Sequence, residues 1–182
     1  MNYELSDFCT DCRKALAGDT LPQVRSLAGV RAALANLIAN QVYMNSICGA
    51  EAPPGLHLLH EDGSMGFQVL AHVNQKPRVS PPHNHGTSWA VYGQVTGFTD
   101  MTEFRRVDDG SDPSHARLEV IGKYRLDPGD VGVYKTGDIH SIDYPAGSRF
   151  IRVTGTNLDR IERDAFDLAT GEIRRPALQQ AS

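Results

Sequence analysis

Long hydrophobic runs, a surplus of basic charge and an even set of cysteines are all missing from this 182-residue sequence. No apolar stretch approaches the roughly 20 residues needed to cross a bilayer, which argues against a membrane partner. Lys and Arg number 18 against 22 Asp and Glu, well mixed, for a net charge of −4. No basic stripe therefore invites nucleic acid. The three cysteines, Cys9, Cys12 and Cys48, are an odd count that does not suit a disulfide framework and fits reduced cytosolic thiols better. Cys9-Thr-Asp-Cys12 has the C-x-x-C spacing of a zinc or redox motif, but no second pair or βαβ pattern accompanies it. Both sulfurs are expected to pack as small apolar groups on one helix face. The opening MNYELSDFCTDCRK is acidic and polar, unlike a secretory signal, so a cytoplasmic protein is expected, a monomer or small homo-oligomer. There is no internal repeat and no low-complexity block.

Two regimes are present. Residues 1–50 are helix-like: Ser6 is placed to cap a helix running to Ala17, with Gly18 as its stop. In PQVRSLAGVRAALANLIANQVYM, Val24, Leu27, Val30, Leu34, Leu37 and Ile38 recur at spacings of three and four, the pattern of one amphipathic helix. This segment is expected to pack on the outside of a larger body. Residues 51–160 change to short β-type runs: LHLLH, GFQVLAHV, SWAVYGQV, FTDMTEFRRV, ARLEVIGKYRL, GDVGVYK, HSIDY and RFIRVTG. Turn signals such as EDGS, DPGD and PAGS separate them. Eight short strands at regular spacing predict a mostly β, antiparallel sandwich or barrel, for which the jelly roll is a standard solution. Residues 161–182 read as an extension ending in a polar tail, IRRPALQQAS.

Histidine carries the chemistry. Of the seven, His83 and His85 stand one residue apart in PPHNHG, so in an extended chain both rings point the same way. Pro81 and Pro82 stiffen the approach, and Gly86 lets the chain turn afterwards. A second stretch, PGDVGVYKTGDIHSI, holds a tight turn, a short apolar strand, another turn at Gly137-Asp138 and then His140. Together the two stretches resemble the paired metal motifs of the cupin superfamily. His83, His85 and Gly97 match the first, with Ala90 where the family has glutamate. Gly129, Gly137 and His140 match the second, with Lys135 in place of a proline. The likeness covers about residues 55–155. It implies a cupin, or jelly-roll, double-stranded β-helix barrel with an N-terminal helical segment. It also implies a metal held by His83, His85 and His140. Imidazole suits iron, zinc, copper and nickel, and three neutral ligands leave positions open.

Within the cupins, HNHGTSWAVYGQVTGFTDMTEFRR and GLHLLHEDGSMGFQVL resemble the cysteine dioxygenase type of thiol dioxygenase. The resemblance implies a mononuclear non-haem Fe(II) enzyme that adds both atoms of O₂ to a thiol. Three positions depart from that pattern. Ala90 stands where animal members have a cross-linked cysteine. Phe150, Arg152 and Thr154 stand where the family has a Ser-x-His-x-Tyr triad. His57 stands where cysteine-specific members have a carboxylate-binding arginine. If β alternation holds, Arg152 points into the barrel, where a guanidinium needs an anion. It either grips a substrate carboxylate, for which arginine is well shaped, or pairs with an internal acid such as Glu103. The expected substrate is a small thiol carboxylate of the 3-mercaptopropionate or mercaptosuccinate class, with His57, Tyr92 and Arg152 as candidate catalytic residues. Gln94 shares the face of Tyr92, and Tyr134 and Tyr144 are candidates for the missing phenol. His60, His72 and His115 read as surface or packing histidines, and Trp89 as core or pocket wall. Two other readings stand beside this: a three-histidine cupin oxygenase that cleaves a carbon–carbon bond, and a non-catalytic metal-binding cupin.

Overall fold

The computed structural model describes residues 3–17 and 24–178. Three helices come first: α1 (Leu5–Leu16), α2 (Val24–Ala39) and α3 (Gln41–Cys48). Helix α1 starts before Ser6. Glu4 is its N-cap, and Asp7 accepts a hydrogen bond from the Glu4 N–H at 3.0 Å. A carboxylate at this end also complements the exposed N–H groups of the first turn. Gly18, expected as the stop of this helix, and the Val24 side chain lie outside the described residues. The single helix expected after it is two helices. Asn40 interrupts it and caps α3, its side-chain oxygen accepting from the Tyr43 N–H at 3.1 Å. An Asn offers the backbone that local alternative to continuing the helix. Among the described residues, no helix is long and apolar enough to cross a membrane.

The barrel strands are β1 (Gly55–Glu61), β2 (Gln68–Val73), β3 (Arg78–Val79), β4 (Ala90–Thr96), β5 (Thr99–Arg106), β6 (Leu118–Leu126), β7 (Val131–Tyr134), β8 (Ile139–Tyr144) and β9 (Arg149–Thr154). They form two antiparallel sheets, in the orders β1-β2-β9-β4-β7 and β3-β8-β5-β6. This is the double-stranded β-helix barrel, with the eight expected runs as strands and the two-residue β3 added. The stretch read as a polar tail is not all tail. β10 (Ala165–Phe166) pairs with β11 (Ile173–Arg174), and Ile173 is buried with Phe166 and Ala116.

The larger sheet has two buried faces. Along β9, Ile151 and Val153 face the helices, where they join Phe8, Leu34, Leu37 and Met44 in one apolar cluster. Phe150 faces the other way, with Tyr92, Met101 and Tyr134 inside the barrel. Complete burial of a Leu or Phe side chain contributes about 1.5–3 kcal/mol, so the helices are part of what holds the sheet together. Gly93 permits their close approach: a Cβ there would sit 3.0 Å from Leu34 Cγ. The Arg13 guanidinium pairs with Asp62 at 2.7 Å, and Arg149 donates to the Cys48 carbonyl at 2.7 Å, tying both ends of the helical segment to the barrel. Cys9 and Cys12 are free thiols buried in this interface, and burial pushes both upward in pKa. Thiols held protonated in this way act as packing groups.

Candidate metal centre

His83 and His140 are adjacent because their backbones form an isolated antiparallel bridge: each N–H donates to the other's carbonyl, at 2.9 and 3.0 Å. His85 lies in the loop that follows, where Ser88 N–H donates to the His85 carbonyl and turns the chain. The three rings converge, with centroid separations of 5.4, 4.6 and 4.9 Å. One ring nitrogen from each lies within 4.8 Å of the other two, so the group is able to hold a metal ion.

The donor chemistry fits a metal. His140 is fully buried, yet neither of its ring nitrogens has a hydrogen-bond partner, and His85 Nδ1 is likewise unpaired. Buried polar atoms without partners are costly and uncommon, and a bound cation would take up one lone pair from each ring. His83 Nδ1–H donates to the Pro81 carbonyl at 3.0 Å, which leaves its Nε2 lone pair for a ligand bond. Burial, together with the positive charge of Arg152, holds all three imidazoles below their ordinary pKa. They are therefore neutral at pH 7, as a metal ligand must be.

Beside the cluster lies a cavity of about 410 Å³, whose lining includes His83, Tyr92 and Arg152. Tyr92 OH stands 3.3 Å from His85 Nε2. Burial raises the Tyr92 pKa and keeps the phenol protonated, although the neighbouring Arg152 opposes the shift. Arg152 sits opposite Tyr92 on β4 and Leu70 on β2, and its Nε is buried without a partner. Glu103 is not its counter-ion: that carboxylate accepts from Tyr124 OH at 3.0 Å, and Tyr124 in turn bonds Tyr134 OH at 2.6 Å. The Tyr134 ring lies against His140, 3.9 Å between centroids. Tyr144 also lines the cavity and donates to Asn74 at 3.1 Å.

His57 is not brought to the cavity. It pairs with Ala71, whose side chain belongs to the cluster under the helices, and its Nε2 bonds the Pro53 carbonyl at 2.7 Å. Leu56, one residue away, takes the cavity-facing place. Gln94 is buried but accepts from Thr99 Oγ1 at 2.8 Å, away from the cavity wall. Trp89 packs in the core under the helices. His72, read as a packing residue, does line the cavity; it stacks on Phe150 at 4.3 Å and has a buried, unpaired Nε2. Its inward phase was readable in QVLAHV, where Val69, Ala71 and Val73 face the helices and leave Gln68, Leu70 and His72 for the interior. Arg78 and Arg163, also in the lining, carry no such periodic signal.

The sequence matches no protein-family model and no curated protein. Solved structures are similar to it over part of the chain. KdgF from Halomonas sp. is 17% identical, with a TM-score of 0.41 over 54% of this chain and 74% of that one. The cupin domain of Schizosaccharomyces pombe Cnp3 is 12% identical, with a TM-score of 0.42 over 56% and 60%. Cellulomonas parahominis L-ribose isomerase is 14% identical, with a TM-score of 0.44 over 56% and 60%. This chain thus spans about three-fifths of the latter two.

The C-terminal extension braces the histidine loop. Phe166 N–H donates to the Pro82 carbonyl at 2.8 Å, and Asn84 N–H to the Asp164 carbonyl at 3.0 Å. Gly86 makes the close fit possible. Its φ is +57°, and a Cβ there would run into the Glu162 carbonyl oxygen. Gly86→Ala is expected to cost about 2 kcal/mol through backbone strain and that clash, and to weaken metal binding by opening the loop. A thermal melt and a metal titration of the variant would check both; an unchanged Tm would overturn the expectation.

Acid should destabilise the metal-free protein. His72, His83, His85 and His140 all have folded pKa values below the ordinary value of 6.5, so below that pH the unfolded chain binds protons that the folded chain refuses. Stability is then full above about pH 6.5 and falls as pH drops, by ~1.4 kcal/mol per pH unit for each such proton. Melting curves from pH 7.5 to 5 should show a steep loss of Tm. A flat profile would mean that these rings are open to protonation in the folded state.

Proposed function

We propose that the protein is a thiol dioxygenase that converts a small thiol carboxylate, of the 3-mercaptopropionate or mercaptosuccinate class, to its sulfinate. The observation that carries this reading is a three-imidazole group, buried at His85 and His140 and half-buried at His83, opening onto a cavity whose wall holds a guanidinium with no internal carboxylate on it. Fe(II) held by His83, His85 and His140 would supply Lewis acidity toward the thiol and the redox chemistry that activates O₂. The overall reaction, RS⁻ + O₂ → RSO₂⁻, balances without an external reductant. Both oxygen atoms end on sulfur, and the substrate supplies the electrons.

The chain's own residues divide the remaining work. Arg152 binds the substrate carboxylate in a paired, charge-assisted contact and so fixes the distance between that carboxylate and the sulfur. Tyr92, kept protonated by burial, offers an O–H donor toward the forming sulfinate oxygens. Phe150 and Ile142 supply apolar wall that keeps bulk water from the reacting end. The imidazoles stay neutral and need lose no proton before metal binds.

The test is O₂ uptake by anaerobically Fe(II)-loaded protein, with product analysis, against 3-mercaptopropionate, mercaptosuccinate, cysteine, cysteamine and a β-diketone. Uptake matched by sulfinate formation from one thiol acid is the expected result. Uptake with the diketone alone would transfer the site to carbon–carbon cleavage, and a protein that binds metal but consumes no O₂ would be a non-catalytic cupin.

A further inference from the structure

The cavity holds more positive charge than one carboxylate can answer. Arg78, Arg152 and Arg163 all line it. Arg163 is paired with Asp159 at 3.4 Å. The other acid in the wall, Asp164, is taken by Arg175 at 2.9 Å and also accepts from Asn84. Arg78 and Arg152 form no ion pair among the described residues. The two come from different sheets. Arg152 is on β9, while Arg78 is on β3 opposite Tyr144, whose ring packs inside the barrel. Between their influence lies His72, held neutral by burial and by both charges, with its buried Nε2 unpaired and facing the cavity. Two buried nitrogens without partners, on His72 and Arg152, thus sit in a wall that carries two unanswered cations.

We infer that Arg152 and Arg78 form a two-anion cradle, and that the substrate is a thiol bearing two carboxylates. This rests on the thiol dioxygenase reading for the thiol, but not for the two anions. Arg152 takes the carboxylate nearer the metal group, in the half-buried wall. Arg78, exposed at the mouth, takes the second and sets specificity. Because water solvates Arg78 when no ligand is present, a monocarboxylate is not penalised there. A dicarboxylate instead gains one further charge-assisted contact, expected to favour it about tenfold.

Binding of succinate and of propionate to the metal-free protein, measured by titration calorimetry, tests the cradle without turnover. Succinate should bind at least about tenfold more tightly than propionate. In Arg78→Ala that ratio should fall close to one, and in Arg78→Glu it should invert. Arg78 is exposed, and a melt of each variant would verify that the fold is kept. Equal binding of both acids by the unaltered protein, or an undiminished ratio in Arg78→Ala, would overturn the inference. The same variants, Fe(II)-loaded, are then compared on mercaptosuccinate and 3-mercaptopropionate. Selective succinate binding without oxidation of any thiol would keep the cradle and remove the dioxygenase. Thiol oxidation with no preference for the dicarboxylate would do the reverse.

Discussion

In Arg152→Ala, the KM for a thiol carboxylate is expected to rise about a hundredfold, which corresponds to ~3 kcal/mol. That is the ordinary cost of deleting one partner of a desolvated, hydrogen-bonded ion pair. The effect should fall on KM more than on kcat, because the contact holds a part of the substrate that does not react. Arg152→Lys should recover only part of the loss, since an ammonium keeps the charge but cannot make the two parallel bonds of a guanidinium. The variant should fold. Removing Arg152 gives up its hydrogen bond to Tyr92 but also deletes a buried Nε that has no partner, and the two partly offset. Steady-state kinetics on a folded variant decide the matter. A KM within twofold of the unaltered protein would show that the guanidinium serves the barrel and not the substrate.

His140→Ala has the larger expected effect: bound metal falls from about one ion per chain to none, and dioxygenase turnover drops by more than about a thousandfold. Two ligands remain, but the missing one is the central, fully buried ring whose nitrogens have no other use. In the metal-free state the variant should melt close to the parent. The cavity left behind costs a few kcal/mol, while removal of an unpaired buried polar group returns about 1–3 kcal/mol. With metal at a hundred times its Kd, the parent gains ~2.7 kcal/mol and the variant gains nothing. Elemental analysis and paired melts with and without metal distinguish this from simple unfolding. Full metal occupancy in His140→Ala would exclude the three-histidine group as the metal centre.

Much of this is legible in the sequence alone. The eight apolar runs are strands because alternation and turn residues agree, and His83, His85 and His140 converge because two separate stretches set them at matching turns. Arg152 was legible by parity, since Ile151 and Val153 claim the helix side of β9. The same rule failed for His57. Alternation says which residues share a face, but not which face is inside. In β1 both sets mix leucine with histidine, so only the pairing of His57 with Ala71 decides it. A register shift between Leu58 and His60 further blurs the pattern. Arg78 was hidden for a different reason: a two-residue strand has no period to read. The break at Asn40 was hidden because the apolar spacing of α2 runs on across it, and only the cap reveals the stop.

The two-sided burial of β9 limits how such a protein can change. Its odd-numbered positions 151 and 153 answer to the helices, and its even-numbered ones answer to the interior, so no position on that strand is idle. A substitution that suited a new ligand would have to be tolerated by a strand whose other face is already committed. The rim carries no such double duty. β3 and the Asp159–Asp164 stretch reach the cavity from one side only, with Arg78 and Arg163 as their contributions. A lineage can therefore exchange ligands by editing the rim while the floor and its metal group stay as they are, and relatives should differ first at those two arginines.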